Sequence, residues 1–196
     1  METDNPFIRQ AAVLVGMVSR PNGVQLILTR RSMALADHAG QISFPGGVVE
    51  RQDGGLIDTA LREANEEIGL EPSLVQIVGH LPAYLTGTGF QITPVIARVD
   101  ESAQLIAQPA EVVEIFELPV AMLLQPSAYR CFRHPHQGRQ RLLWAMPFGP
   151  YYIWGATAAI LVRLRRYFRH QSGRYISPQD SLAIPADNSA SILSSS

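Results

Sequence analysis

The sequence predicts an α/β fold. Short apolar runs that are rich in β-branched residues and bounded by turn residues are typical of strands. Two longer segments, residues 56–70 and 156–170, carry apolar residues at helical spacing. The chain has 196 residues, of which 46% are hydrophobic and 17% charged, and this is sufficient for one domain with its own core.

The predicted elements follow one another without an internal repeat or a long linker. The predicted strands cover residues 11–18, 24–29, 74–86, 90–99, 111–120, 139–148 and 151–155. A turn at 20–23 joins the first two strands, and a Gly-Thr-Gly turn at 87–89 joins the next two. The strand at 111–120 leads into a short helix, and the His-Pro-His segment at 134–136 is predicted to be a surface loop.

The helix at 56–70 has one apolar stripe and a defined end. The stripe consists of Ile57, Leu61, Ala64 and Ile68. Gly69 fits the position just after a helix end, and Pro72 is a further stop signal. The helix at 156–170 is amphipathic, and its arginines are predicted to form a solvated face.

Composition limits the partners and the compartment. The formal net charge of −1 argues against nucleic acid as a partner. No apolar run reaches about 18 residues, and the N-terminus lacks the basic region of a signal peptide, so we expect no membrane partner. Cys131 is the only cysteine, which favours a reducing compartment. We therefore expect a cytoplasmic protein with one domain at residues 1–170 and a disordered polar tail at 171–196.

Three glutamates share one side of the first helix. Glu63 lies three and four residues before Glu66 and Glu67, a spacing at which like charges destabilise a helix by roughly 0.2–0.5 kcal/mol per pair. At about 100° per residue, the three side chains occupy a wedge about 100° wide beside the apolar stripe, where a cleft can form. Clustered carboxylates are ligands for Mg²⁺ or Mn²⁺, and no Cys/His pattern indicates zinc. A solvated acidic face is the alternative interpretation.

A Phe-Pro-Gly-Gly segment precedes this helix. Gly46 and Gly47 form a turn that exposes backbone groups and lets a ligand approach closely. The turn runs toward the glutamate helix and so could bring a carbonyl oxygen next to the carboxylates. A tight turn without a ligand is the alternative.

Residues 62–70 resemble the second half of the Nudix box and match it completely. The first half departs from the family pattern, because Asp53 stands in place of a glutamate and eight residues rather than seven separate it from Arg62. Residues 26–47 resemble the signature that precedes the box in the coenzyme A pyrophosphatase branch. Similarity to the same branch at 92–95, 111–119 and 153–158 extends the resemblance over most of the chain.

The resemblance to Nudix hydrolases implies an α/β/α sandwich with a mixed central sheet. It also implies hydrolysis of a nucleoside diphosphate linked to another group, with Mg²⁺ or Mn²⁺ as cofactor. The implied metal ligands are Glu63, Glu66, Glu67 and the carbonyl of Gly46. Arg62 would orient a glutamate of the box, and the general base would be either Glu63 or Glu111.

The implied substrate-binding residues are Arg31, Phe44 and Gly47. Alternation along a strand puts Arg30 and Arg31 on opposite faces, and the branch signature favours Arg31 as the one in the cleft. A guanidinium matches the geometry of a phosphate. Phe44 would contribute to an apolar groove.

The branch resemblance implies cleavage of coenzyme A into 3′,5′-ADP and 4′-phosphopantetheine. One position departs, because Ala36 stands where the signature has a second arginine. ADP-ribose or another nucleoside diphosphate derivative is therefore an alternative substrate. A nucleotide-binding regulator without catalysis is a third interpretation, against which the retained glutamates argue. The sequence leaves the oligomeric state open, with a homodimer as one alternative.

Overall fold

The computed structural model describes residues 8–34, 38–136 and 139–171. The strands are β1 (Arg9–Arg20), β2 (Gly23–Arg31), β3 (Ile42–Ser43), β4 (Gly46–Val48), β5 (Val75–His80), β6 (Tyr84–Leu85), β7 (Phe90–Val99), β8 (Val112–Pro119), β9 (Arg130–His136), β10 (Arg139–Phe148) and β11 (Tyr151–Trp154). The helices are α1 (Leu56–Ile68), α2 (Val120–Leu123) and α3 (Gly155–Gln171). Ala36 and the predicted tail beyond residue 171 lie outside the described residues.

Strand β1 lies at the centre of a mixed sheet. The strand order is β3-β2-β1-β7-β5, and β4, β6 and β8 pair with β1, β7 and β2 respectively. Strand β1 is antiparallel to β2 and parallel to β7. One edge of β1 is divided between two partners, because residues 17–20 pair with β2 whereas residues 11–13 pair with β4. This division brings Gly46 and Gly47 of β4 into the middle of the sheet.

Helices cover both faces of this sheet. Because side chains alternate along a strand, Leu14 and Val15 of β1 belong to different core clusters. Ala60 and Ala64 of α1 complete the cluster on the Leu14 face. On the Val15 face, α3 and a smaller antiparallel sheet with the order β11-β10-β9 complete the other cluster. The expected α/β/α sandwich with a mixed central sheet is confirmed.

The ends of several elements follow the turn and stop residues. The turn between β1 and β2 is as predicted, with Arg20 opposite Gly23. Helix α1 ends at Gly69, whose φ of 65° is readily adopted by glycine. The predicted strand at 74–86 is interrupted between β5 and β6, where Pro82 has no N–H to donate to a ladder.

Two sequence predictions about surface segments are wrong. Residues 134–136 belong to strand β9, not to a loop, and β9 is at the edge of its sheet, where Pro135 is tolerated. Arg163 of α3 is not on a solvated face, because it donates to the carbonyls of Pro82 and Ala83 at 3.0 and 2.9 Å. In the part of the chain that the structure describes, none of the helices combines the length and the apolar character needed to cross a membrane.

Candidate active site

Glu67 lies in the buried face of α1. The buried residues of this helix are Thr59, Ala60, Ala64, Glu67 and Ile68. Ile57, which the predicted stripe included, is 42% exposed, whereas Ala60 is fully buried. The face toward the sheet is therefore rotated from the predicted stripe toward the glutamates. The exposed fractions of the side chains follow this rotation and are 1% for Glu67, 13% for Glu63 and 52% for Glu66.

One backbone N–H and one guanidinium hold the Glu67 carboxylate. Gly46 donates its N–H to Oε2 at 3.2 Å, and Arg31 Nη1 donates to Oε1 at 3.1 Å. Burial raises the pKa of Glu67 to about 7, and the charges of Glu63 and Glu111 act in the same direction. Arg31 and the Gly46 N–H oppose this rise in pKa. The two donors therefore offset only part of the cost of burying the charged Glu67 carboxylate, and its pKa stays above the ordinary value.

Glu63 packs directly against the backbone of β4. A Cβ atom on Gly47 would overlap the Glu63 carboxylate, so a larger residue at this position would force the Glu63 side chain to move. Arg62 Nη1 donates to Glu63 Oε1 at 3.0 Å. Burial raises the pKa of Glu63, and the neighbouring Arg62 opposes the rise. The Gly46–Gly47 segment therefore contacts both the Glu63 and the Glu67 carboxylate.

Asp53 anchors Arg62 through two hydrogen bonds. Arg62 Nε and Nη2 donate to Asp53 Oδ1 and Oδ2 at 2.8 and 3.1 Å. Asp53 also accepts bonds from the Thr59 hydroxyl and the Glu50 N–H, both at 2.8 Å. These donors, Arg62 foremost, hold the pKa of Asp53 well below its usual range. Asp53 stands six residues after Gly47, where the box has a glutamate, and that position was the signal from which this unpredicted ion pair could have been found.

The remaining guanidinium nitrogen of Arg62 faces the glutamates. Besides its bond to Glu63, Nη1 donates to Glu66 Oε2 at 2.9 Å. Glu66 therefore lies at the surface beside Arg62, away from the buried carboxylate of Glu67.

Glu111 approaches the cluster from a different element. It directly precedes β8, and its backbone oxygen accepts the Ser32 N–H at 2.7 Å. Its charge contributes to the raised pKa values of Glu63 and Glu67, which shows that its side chain lies near both. Among the described residues, the Glu111 carboxylate has no hydrogen-bond donor and no ion-pair partner.

The cluster carries more negative than positive charge. Its five carboxylates belong to Asp53, Glu63, Glu66, Glu67 and Glu111, and its two guanidiniums belong to Arg31 and Arg62. Within the described ranges, no three His, Cys, Asp or Glu side chains already form a coordination group. Arg62 Nη1 instead holds Glu63 and Glu66, and Arg31 Nη1 holds Glu67. Oxygen donors with excess negative charge nevertheless suit a hard divalent cation, so the residues present fit such an ion.

A cavity of about 1340 Å³ adjoins the carboxylates. Arg31, Gly46 and Gly47 line the cavity and also contact Glu67 or Glu63, so they form the border between cavity and cluster. Arg30, the neighbour of Arg31, instead forms an ion pair with Glu114 at 3.1 Å. Ligand pockets usually have volumes of roughly 300–1,000 Å³. This cavity therefore has room for a substrate larger than a mononucleotide.

The walls of the cavity differ in chemistry. Phe44 lines it, but its side chain is 2% exposed and belongs to the core, so little of the ring can contact a ligand. One apolar wall, called the apolar wall below, comes from the C-terminal part of the chain and includes Leu142, Leu143, Trp154, Ala156 and Ile160. The charged lining residues are Arg9, Arg31 and Arg133, and the described lining contains no carboxylate.

Comparison with known proteins identifies the family. A family model of the NUDIX domain matches residues 8–137. The chain belongs to the Nudix hydrolase family. Over 156 residues, this Nudix hydrolase is 42% identical to the uncharacterized Nudix hydrolase NudL of Salmonella paratyphi B, a match that covers 80% of this chain and 81% of the relative. The NudL protein of Salmonella newport has the same identity and coverage.

Two solved structures share the fold of this Nudix hydrolase. The Nudix hydrolase RenU of M. smegmatis has a TM-score of 0.57 at 19% identity, covering 86% of this chain and 89% of RenU. The NUDIX domain of Shewanella oneidensis NrtR, complexed with ADP ribose, has a TM-score of 0.52 at 18% identity, covering 84% of this chain and 88% of that domain. At these identities the similarity supports the fold alone.

The Nudix assignment gives the reaction class. Nudix hydrolases act on nucleoside diphosphate derivatives and generally use divalent metal ions such as Mg²⁺. In this Nudix box, the substitution of aspartate for the first glutamate leaves an intact ion pair between Asp53 and Arg62.

Proposed function

We propose that this Nudix hydrolase cleaves the diphosphate bond of coenzyme A or its derivatives, giving 3′,5′-ADP and 4′-phosphopantetheine. The observation that carries the proposal is the cavity of about 1340 Å³, whose lining includes the residues that contact Glu67 and Glu63, namely Arg31, Gly46 and Gly47. A diphosphate bound at Arg31, Gly46 and Gly47 would leave room in the same cavity for both arms of a long substrate. The similarity of residues 26–47 to the signature of the coenzyme A branch supports the same substrate.

Mg²⁺ or Mn²⁺ would be held by Glu63, Glu66, Glu67 and the carbonyl of Gly46. When bound, such an ion neutralises charge on phosphoryl oxygens and lowers the pKa of a coordinated water. Glu66 would have to leave Arg62 Nη1, to which it is hydrogen-bonded at 2.9 Å. Arg62 would stay in place, because Nε and Nη2 remain on Asp53.

We favour Glu111 as the general base, with Glu63 as the alternative. Glu63 already accepts a bond from Arg62 and is packed against Gly47, so its position is fixed. The Glu111 carboxylate lies near Glu67 and is free of hydrogen-bond donors among the described residues. A carboxylate that is near the cluster but not engaged can accept a proton from an attacking water.

Arg31 would contact the substrate diphosphate. Its Nη1 is bonded to Glu67, while its Nε is buried and has no hydrogen-bond partner in the described part of the chain. A buried donor without a partner costs about 1–3 kcal/mol. A phosphate oxygen entering the cavity would contact the exposed part of the Arg31 side chain, which is 23% accessible, and charge-assisted bonds of this kind are stronger than neutral ones.

The apolar wall would receive the pantetheine arm. It is formed by residues such as Leu142 and Trp154, which are 46% and 39% exposed and so offer apolar surface to a ligand. These residues lie beyond the segment 8–137 that the family model matches. Substrate selection would therefore depend on a part of the chain outside the matched segment.

ADP-ribose or another nucleoside diphosphate derivative is the second candidate substrate. The NrtR domain of the same fold is described as a complex with ADP ribose, and Ala36 departs from the coenzyme A signature. A regulator that binds a nucleotide without cleaving it is less well supported, because Glu63, Glu66 and Glu67 are all retained.

A substrate panel with and without added Mn²⁺ tests the proposal. We expect cleavage of coenzyme A with chromatographic appearance of 3′,5′-ADP. Glu66→Gln and Glu67→Gln should each lower kcat by orders of magnitude while the circular dichroism spectrum is unchanged. Rapid cleavage of ADP-ribose with coenzyme A left intact would show that the branch assignment is wrong. Unchanged turnover in both variants would remove the metal role assigned to these glutamates.

A further inference from the structure

The cavity has a second cationic end, away from the carboxylates. Arg9, at the start of β1, lines the cavity, and its guanidinium lies over the Phe90 ring at 5.1 Å from the ring centre. Within the part of the chain that the structure describes, Arg9 has no carboxylate partner. Arg31, by contrast, is partly neutralised by Glu67. Arg9 is therefore a positioned cation that faces a cavity and lacks a described counter-charge.

A loop rich in threonine and glycine lies beside Arg9. Thr86, Gly87 and Thr88 line the cavity, and the Arg9 N–H donates to the Gly89 carbonyl at 2.9 Å. The Thr86 hydroxyl accepts the Phe90 N–H at 3.0 Å and lies 3.0 Å from the Thr88 hydroxyl. Either hydroxyl can be the donor in this pair. If the Thr86 hydroxyl donates to the Thr88 oxygen, the Thr88 hydroxyl can donate its own proton into the cavity. A guanidinium and a hydroxyl donor thus meet at one end of the cavity.

Along β1, this end of the cavity lies several residues away from Gly46 and Gly47, where the diphosphate would bind. Ala12 pairs with Gly47, and Arg9 precedes Ala12 by three residues. At about 3.3 Å per residue, Arg9 is about 10 Å from that border along the strand. A single nucleotide derivative in this cavity could therefore contact both places.

We propose that Arg9 and the loop at residues 86–88 bind a phosphate monoester of the substrate, remote from the diphosphate that is cleaved. The inference rests on the proposed function in one respect, because both require that the nucleotide part of the substrate binds in this cavity. It names the substrate class as nucleoside diphosphate derivatives that carry an additional phosphate on the nucleotide. The 3′-phosphate of coenzyme A is such a group, and ADP-ribose has none. A guanidinium with hydroxyl donors is suited to a phosphate dianion.

Arg133 is the competing cation in the cavity. It lies on β9 opposite Leu142 of β10, next to the apolar wall. Arg9 is better placed, because the Phe90 ring and the backbone bond to Gly89 restrict it, and because the threonine hydroxyls lie at its end of the cavity. Arg133 therefore serves as a comparison within the same cavity.

Binding of 3′,5′-ADP and of 5′-AMP, measured by isothermal titration calorimetry, tests the inference without catalysis. We expect the wild-type protein to bind 3′,5′-ADP about tenfold or more tightly than 5′-AMP, since a hydrogen bond to a charged group has that magnitude. Arg9→Gln should bring the ratio close to one by weakening 3′,5′-ADP alone. Arg9→Lys should keep part of the preference, and Thr88→Val should reduce it.

Arg98→Gln is the matched control for net charge. Arg98 is exposed near the other end of β7, and its loss should leave the ratio unchanged. Three results would each overturn the inference. The wild type could bind the two nucleotides equally, Arg9→Gln could keep the wild-type ratio, or Arg133→Gln could lose that ratio instead. If Arg9→Gln does not fold, judged by its melting temperature, Arg9→Lys and Thr88→Val decide. A protein that prefers 3′,5′-ADP but leaves coenzyme A intact would refute the proposed function and retain this subsite.

Discussion

Replacing Glu67 by glutamine is expected to reduce the loss of stability that the metal-free protein undergoes as the pH rises from 5.5 to 8. The Glu67 side chain is 1% exposed, and burial raises its pKa from the ordinary value of 4.5 to about 7. The folded state therefore binds this proton more tightly than the unfolded state. Its contribution to stability is complete below pH 4.5 and is lost as the pH rises through about 7.

The size of this effect follows from the two pKa values. Their difference corresponds to about 3 kcal/mol of unfolding free energy, of which about 2 kcal/mol is lost between pH 5.5 and pH 8. The raised pKa of Glu63 has the same sign. Asp53 has the opposite sign, because its pKa is lowered, and its contribution is lost only at more acidic pH. Between pH 5.5 and pH 8, the change in unfolding free energy therefore reports the glutamates with raised pKa values and not Asp53.

Urea denaturation in EDTA at pH 5.5 and pH 8 measures the effect. Glutamine resembles the protonated form of the Glu67 side chain. From pH 5.5 to pH 8, the unfolding free energy of the wild type should therefore fall by about 2 kcal/mol more than that of Glu67→Gln. Adding Mn²⁺ at pH 8 should stabilise the wild type, by about 2.7 kcal/mol at a hundredfold excess over Kd, and the variant much less. Glu71→Gln, at an exposed position, is the control. Parallel pH profiles for the wild type and Glu67→Gln would refute the reasoning.

Three further perturbations test other contacts of the site and the fold. Gly47→Ala should displace the Glu63 carboxylate and lower kcat about a hundredfold with the fold retained, whereas Gly79→Ala, where an added Cβ meets nothing within 4 Å, should leave the steady-state kinetics unchanged. Arg62→Lys should lower kcat because a lysine cannot contact Asp53, Glu63 and Glu66 at once, and normal kinetics would contradict the anchoring role. Thr157→Val removes the buried bond to the Ile42 carbonyl at 2.9 Å and should lower the unfolding free energy by about 1–3 kcal/mol in urea titrations, with Thr157→Ser close to wild type.

The sequence predicted the fold better than the orientation of the glutamate helix. Strand alternation and turn residues were sufficient for β1, β2 and the end of α1 at Gly69. The apolar stripe was misplaced, because Ile57 is more hydrophobic than Ala60 although Ala60 is the residue that packs against the sheet. Close packing of a helix on a sheet selects small residues, and a count of large apolar residues does not detect that selection.

The site residues were predicted from a sequence motif. The contacts of Asp53, which departs from that motif, became apparent only in the tertiary structure. The pairing of Asp53 with Arg62 depends on how the loop before α1 folds back, which local periodicity does not specify. The position of Glu111 beside Glu67 also follows from a long-range contact, whereas the bond between Arg62 and Glu66 is an i, i+4 contact within one helix. Local sequence can state which residue types are available for a metal, but their distances depend on the complete fold.

The arrangement of Arg62 is compatible with the metal site proposed for this cluster. Its Nη1 contacts Glu63 and Glu66, the two glutamates that are more exposed, whereas Nε and Nη2 donate to Asp53 and Nη2 also donates to the Val48 carbonyl. A cation that competes for Glu66 therefore has to displace one hydrogen bond and not the whole ion pair. Because Asp53 holds Nε and Nη2, Arg62 would not follow Glu66 toward the proposed ion, and its remaining bond would continue to orient Glu63. The same residue would thus offset part of the negative charge of the cluster and position one of its carboxylates.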